Sequence, residues 1–189
     1  MRALGIDVGL TKGLDLVLLD QQRRVVEVAG RLPHARLRDV VLAWAPDVVA
    51  IDSPPRWAPA GGVRETERAV RRRGIQLYAT PSYERRSTKG FHDWMSAGMD
   101  AFRAIEDRYP LFEGGDPAGS AMEVFPHGAA VVLAGSLVPR GLRKHEWRRS
   151  ILAAKGVDDE RLRRPDLIDA ALAALTGLHA LDRQACWFG

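Results

Sequence analysis

Ala3-Leu4-Gly5-Ile6-Asp7-Val8-Gly9 is a short apolar run with a carboxylate near its end. A run of this length, closed by glycine, reads as a buried strand. The same pattern returns in Ala50-Ile51-Asp52-Ser53-Pro54, where a β-branched run from residue 47 again ends on an aspartate. Between them lie two further apolar runs, residues 14–19 and 25–28, joined by tight turns, which predicts an antiparallel meander. Leu37, Val40, Val41 and Trp44 then follow helical spacing up to Pro46. A strand, a helix and another strand imply a crossover to a parallel position. If the first and fourth strands are neighbours, Asp7 and Asp52 emerge at one sheet edge. Two adjacent carboxylates repel unless a cation lies between them.

The rest of the chain supplies helices and one more strand. Residues 65–73 read as a helix closed by Gly74, residues 75–78 as a short strand, and residues 81–90 as a polar loop. Trp94, Met95, Met99, Phe102, Ile105 and Tyr109 mark an amphipathic helix. Residues 121–125 form the last strand, and residues 129–133 and 147–155 two short helices. Pro165, suited to a first helical turn, opens a final helix with Leu167, Ile168, Ala171, Leu172, Leu175 and Leu178. Asp166 and Asp169 are three residues apart and share a face of it. The expectation is an α/β fold: one domain, residues 1–189, with a mixed five-stranded sheet (three antiparallel strands plus parallel ones) flanked by helices. A helical insertion, about residues 54–120, precedes the last strand.

Composition sets the bounds. The 189 residues suffice for a real core, and the apolar and charged fractions are those of a globular protein. No run reaches the roughly 18 apolar residues of a bilayer span, and the start reads as a strand rather than a secretory signal. A single cysteine, Cys186, excludes an internal disulfide and argues against a Cys-based zinc site. A cytoplasmic location is the expectation. The net charge is +4, and residues 64–89 hold eight basic side chains against three acids. That patch is either a phosphate-binding surface or a solvated arginine-rich helix face.

Four carboxylates, Asp7, Asp52, Asp166 and Asp169, thus form a candidate catalytic and metal-binding set. Mg²⁺ or Mn²⁺ suits oxygen ligands. Such a centre activates water and stabilises a leaving oxygen in phosphodiester cleavage. Each acid alone also has a plain reading, as a turn former or a helix-dipole partner. Lys12, in the turn after the first strand, is placed either for a phosphate or simply for water. Arg64 and Arg68, one turn apart, can approach a phosphate backbone together. Tyr83, Phe91 and Trp94 flank the basic loop and can stack on bases, although Trp94 keeps step with the core positions of its helix. Asp15, on a strand face shared with Val17 and Leu19, either meets solvent or pairs with an arginine.

These motifs, in order, resemble the RNase-H-like predicted nucleases grouped as domain of unknown function 429, distant relatives of the RuvC-type Holliday-junction resolvases. The resemblance covers nearly the whole chain. It rests on Gly5-Ile6-Asp7-Val8-Gly9 with Lys12-Gly13, Ile51-Asp52-Ser53-Pro54, Arg64 with Glu67 and the Arg71-Arg72-Arg73-Gly74 run, Glu123-Val124-Phe125-Pro126, and Asp166-Leu167-Ile168-Asp169-Ala170-Ala171-Leu172. It implies an RNase-H-like fold and metal ligation by Asp7, Asp52, Asp166 and Asp169. It puts Glu123 in the site region, as a ligand of metal or substrate or as the partner of Arg64. It also implies a nucleic-acid partner and, since RuvC-type enzymes act as dimers, a homodimer. Two other functions compete. One is a binding module that kept the fold without the activity. The other is nucleotide binding, because Gly5-Ile6-Asp7-Val8-Gly9 also resembles the first phosphate loop of the sugar kinase, actin and Hsp70 superfamily; that superfamily needs a second such domain, which this length does not supply.

Overall fold

In a computed structural model, which describes residues 1–87 and 90–188, the sheet has the order β3-β2-β1-β4-β5. Its strands are β1 (Arg2–Val8), β2 (Leu14–Asp20), β3 (Val25–Leu32), β4 (Val48–Asp52) and β5 (Ala121–Glu123). β2 pairs antiparallel with both β1 and β3, while β4 pairs parallel with both β1 and β5. The mixed five-stranded sheet flanked by helices is therefore present.

Period-two alternation divides the core into two layers. Ala3, Val17, Leu19, Val48, Ala50 and Met122 face α4 (Pro126–Ala134), α5 (Lys144–Ala154) and α6 (Pro165–Leu181). Leu4, Ile6, Leu16, Leu18, Val49 and Ile51 face α1 (Leu37–Trp44) and α3 (Phe91–Ile105). β1, β2 and β4 are apolar along most of both faces because both are covered. α6 is the central helix of its layer, with ten buried residues, many of them alanine. It lies so close to β1 that a Cβ at Gly5 would collide with the Ala170 carbonyl oxygen and the Ala174 nitrogen. Among the described residues, no helix is long and apolar enough to cross a membrane.

Several boundaries differ from expectation. β3 runs on to Leu32 across register shifts against β2. Residues 75–78 form no strand, since apolar character alone does not make one without a strand alongside it. The exposed side of β5 is instead bridged by Leu111 to Ala121, and Tyr78 faces solvent. β5 stops at Glu123, and Pro126 starts α4 as its first residue, three residues ahead of expectation. Within the segment read as an insertion, α2 (Glu65–Arg72) lies outside both cores, whereas α3 contributes Phe102 and Ile105 to the second one. Lys89 of the basic segment and the Phe91 side chain lie outside the described residues.

Candidate functional site

Strand register sets the first three carboxylates. Asp7 stands opposite Asp52 across the parallel β1–β4 pair and opposite Asp15 across the antiparallel β1–β2 pair. Cross-strand partners share a face, so all three acids stand abreast at one end of the sheet, on the α6 side. α6 begins beside them: Asp166 lies in its first turn, and Asp169 one turn further. Two side chains pin the chain leaving β1. The Trp94 indole N–H donates to the Val8 carbonyl at 2.5 Å, and His34 Nε2 donates to the Gly9 carbonyl at 2.8 Å.

Burial first, and crowding second, makes Asp7, Asp52 and Asp169 reluctant to ionise. Burial pushes the Asp7 carboxyl up to about 9, helped by the charges of Asp52, Asp169, Asp166 and Asp15. Burial also drives Asp52 well above the usual carboxylate range, with Asp169 adding to it and Arg148 opposing. Asp169 is raised by burial more than Arg148 lowers it.

Arginines from other elements compensate some of the acids. Arg148 of α5 places its single nitrogen Nη1 2.5 Å from both oxygens of Asp169. Arg164, just before α6, holds Asp15, which also accepts the Arg31 backbone N–H at 3.3 Å. A Cβ at Gly30 would strike the Arg164 guanidinium, so glycine on β3 leaves room for this pair. Asp15 is thus a buried member of an ion pair, the second of its two expected settings. Neither Arg148 nor Arg164 stood out in the sequence, because each acid–arginine pair joins residues far apart in the chain.

A cavity of about 190 Å³ opens over this end of the sheet, lined by Asp7, Asp15, Asp166 and the loop 8–13. Lys12, exposed at its lip, reaches 4.0 Å from Asp166. Among the described residues, no group of three His, Cys, Asp or Glu side chains is gathered tightly enough to hold an ion as it stands. The donor chemistry nevertheless fits a hard divalent cation. The donors are carboxylate oxygens, neighbouring acids help raise the Asp7 carboxyl, and the cavity adjoins Asp7 and Asp166.

Glu123 is one register step from this row. Its cross-strand partner is Ile51, not Asp52, so it belongs to the opposite sheet face. Both of its oxygens are taken by Arg64, the ion pair that was one of the settings expected for it. Arg64 in turn lies 3.6 Å from Glu67. Glu67 is itself buried and accepts the Thr80 backbone N–H at 3.0 Å. Arg64 and Arg68 are not brought together on one surface. Arg64, at the start of α2, is partly buried against Glu123, whereas Arg68 is exposed beside Glu65. Arg72 also pairs with Glu65, and Arg86 stacks on Tyr83.

Comparison with known proteins places these features. The family model described as "Protein of unknown function (DUF429)" matches residues 5–189. No curated protein matches. Among solved structures, the chain is similar to Thermus thermophilus RuvC with 18% identity and a TM-score of 0.53, covering 98% of both chains. It is also similar to T. thermophilus RuvC in complex with a Holliday junction substrate, at 19% identity and a TM-score of 0.49, covering 97% of this chain and 95% of that one. The first of these likenesses fixes the fold as RNase-H-like.

Proposed function

The chain belongs to this family of unknown function, and from its site we propose that it is a divalent-metal-dependent nuclease acting on DNA or RNA. The observation that carries this reading is the row of Asp7 and Asp52 in cross-strand register beneath Asp166 and Asp169 of α6. A protein that needed only stability gains little from burying acids that destabilise one another. A site for a doubly charged ion recovers that cost.

Asp7, Asp52, Asp166 and Asp169 would hold Mg²⁺ or Mn²⁺, which supplies a Lewis acid and lowers the pKa of bound water. Asp7, whose carboxyl is pushed up to about 9, must give up its proton to bind it, so affinity rises with pH. Lys12 at the cavity lip and Arg68 on exposed α2 are the cations that meet a phosphate backbone. Glu123 serves by fixing Arg64 at the sheet edge, and would become a ligand only by releasing that arginine. A cytoplasmic location and assembly as a homodimer belong to this reading as well.

A second reading has its own support. Arg148 and Arg164 already neutralise Asp169 and Asp15, as in a domain that binds nucleic acid without cutting it. Calorimetry with Mn²⁺, beside Asp7→Asn and Asp169→Asn, separates the two. The nuclease reading expects one or two ions on the wild type, none at the normal affinity on either variant, and loss of cleavage with the fold retained. Nucleic-acid binding that survives EDTA, on a protein that takes up no metal, would establish the binding module. An Asp7→Asn protein that still cuts at the normal rate would sink the nuclease.

A further inference from the structure

Three arginines hold three acids around the site, and they are not equivalent. Arg64 spends Nη1 and Nη2 on the two oxygens of Glu123 and adds Glu67 as a second anion. Arg164 holds Asp15. Arg148 uses only Nη1 on Asp169, and its Nε is buried with no hydrogen-bond partner. Among the described residues, it is the sole arginine with a buried nitrogen left unpaired. An unpaired buried donor is costly, and a guanidinium carries a second edge suited to two oxygens of one phosphate.

The surroundings fit a side chain that changes partner. Trp147, Ile151 and Leu152 are buried and fix the backbone of α5, whereas Arg148 retains some exposure. His127 of α4, which feels the Arg148 charge, also has a buried nitrogen, Nδ1, without a partner. The Arg148 charge acts on both Asp169 and Asp52, so it sits where a cation bound by those acids would repel it.

We infer that Arg148 exchanges partners: it holds Asp169 while the site is free of metal, and it is released to a substrate phosphate when a divalent ion takes Asp169. The inference rests on the metal site proposed above. It makes Arg148 a competitor of the metal and a ligand of the substrate, coupling ion loading to strand capture. Before loading, the guanidinium is engaged and contributes little to nucleic-acid binding. After loading, its Nε and a terminal nitrogen are available together.

The test combines Mn²⁺ calorimetry with binding of a fluorescent phosphorothioate DNA oligonucleotide, which resists cleavage, with and without Mn²⁺. Wild type, Arg148→Gln and Arg148→Lys are compared, with thermal melting as the check on folding. Removing the competing ion pair should tighten Mn²⁺ binding by Arg148→Gln about threefold. The same variant should bind the oligonucleotide about tenfold more weakly in Mn²⁺, and within about twofold of wild type without it. Arg148→Lys should recover part of the oligonucleotide binding. Equal Mn²⁺ affinity in wild type and Arg148→Gln, or an oligonucleotide defect of the same size with and without metal, would overturn the exchange. Should Arg148→Gln melt early, Arg148→Lys carries the decision: a loss of oligonucleotide affinity relative to wild type that is the same with and without Mn²⁺ overturns the exchange. Wild type that binds no Mn²⁺ at all overturns the metal site itself, so the two failures are distinguishable.

Discussion

At the scale of the residue, Asp7 has the most to reveal. Its carboxyl is pushed from 3.8 up to about 9 by burial and by four neighbouring acids. Well below 3.8 it is protonated in the folded and unfolded chain alike and contributes no difference. Between these two values the unfolded chain ionises first and therefore binds fewer protons, so the stability of the metal-free protein falls as pH rises. Asp7→Asn should remove that slope and raise metal-free stability at pH 8 by more than about 1 kcal/mol. Urea titrations across pH 5–9 in EDTA measure it; an unchanged slope would show that Asp7 ionises without strain. The acids themselves were legible in the sequence, because Asp7 and Asp52 interrupt apolar strands and Asp169 lies among buried helical positions. Their arginine partners were not. Arg164 reaches Asp15 across 149 positions, and no local pattern marks such a pair.

At the scale of the element, the sequence signal followed burial. β1, β2, β4 and α6 are the most buried elements, and they lie within a residue or a few of their expected bounds. Where tertiary partners decide, the signal weakened: residues 75–78 have strand composition but no strand beside them, and β5 ends at Glu123, where its ladder with β4 ends. The basic residues near α2 illustrate the same limit, since helical spacing placed Arg64 and Arg68 together while burial at the helix start separated them. The contact between α6 and β1 gives an element-level prediction. A methyl group at position 5 has no room against the α6 backbone. Gly5→Ala should therefore destabilise the fold by about 3 kcal/mol, at the upper end of ordinary overpacking costs. Because α6 also carries Asp166 and Asp169, the same variant should bind Mn²⁺ more weakly even at temperatures where it stays folded. Chemical denaturation and calorimetry test both parts, and a variant of wild-type stability would contradict the tight approach.

At the scale of the whole molecule, the acids collected from β1, β4 and α6 exist as a set only in the folded chain. Divalent metal should therefore bind the native state in preference to the unfolded one. At about 100 times its dissociation constant, Mn²⁺ should add close to 3 kcal/mol. For a chain of this size that raises the melting temperature by roughly 5–10 °C. EDTA should reverse the shift, and the double variant Asp7→Asn with Asp169→Asn should not show it. Differential scanning fluorimetry decides the matter, and a melting temperature indifferent to metal in the wild type would count against a native-state site.

The arginines that face Asp15, Asp169 and Glu123 also bear on the order in which the working protein comes together. With guanidinium groups and bound protons supplying positive charge, the nascent chain can close around its acids before any ion arrives. On the proposed metal-dependent reading, maturation then divides into two separate clocks, one run by the polypeptide and one by the supply of free cation around it. A cell short of the ion would accumulate intact, waiting copies rather than misfolded ones, ready to be switched on without new synthesis.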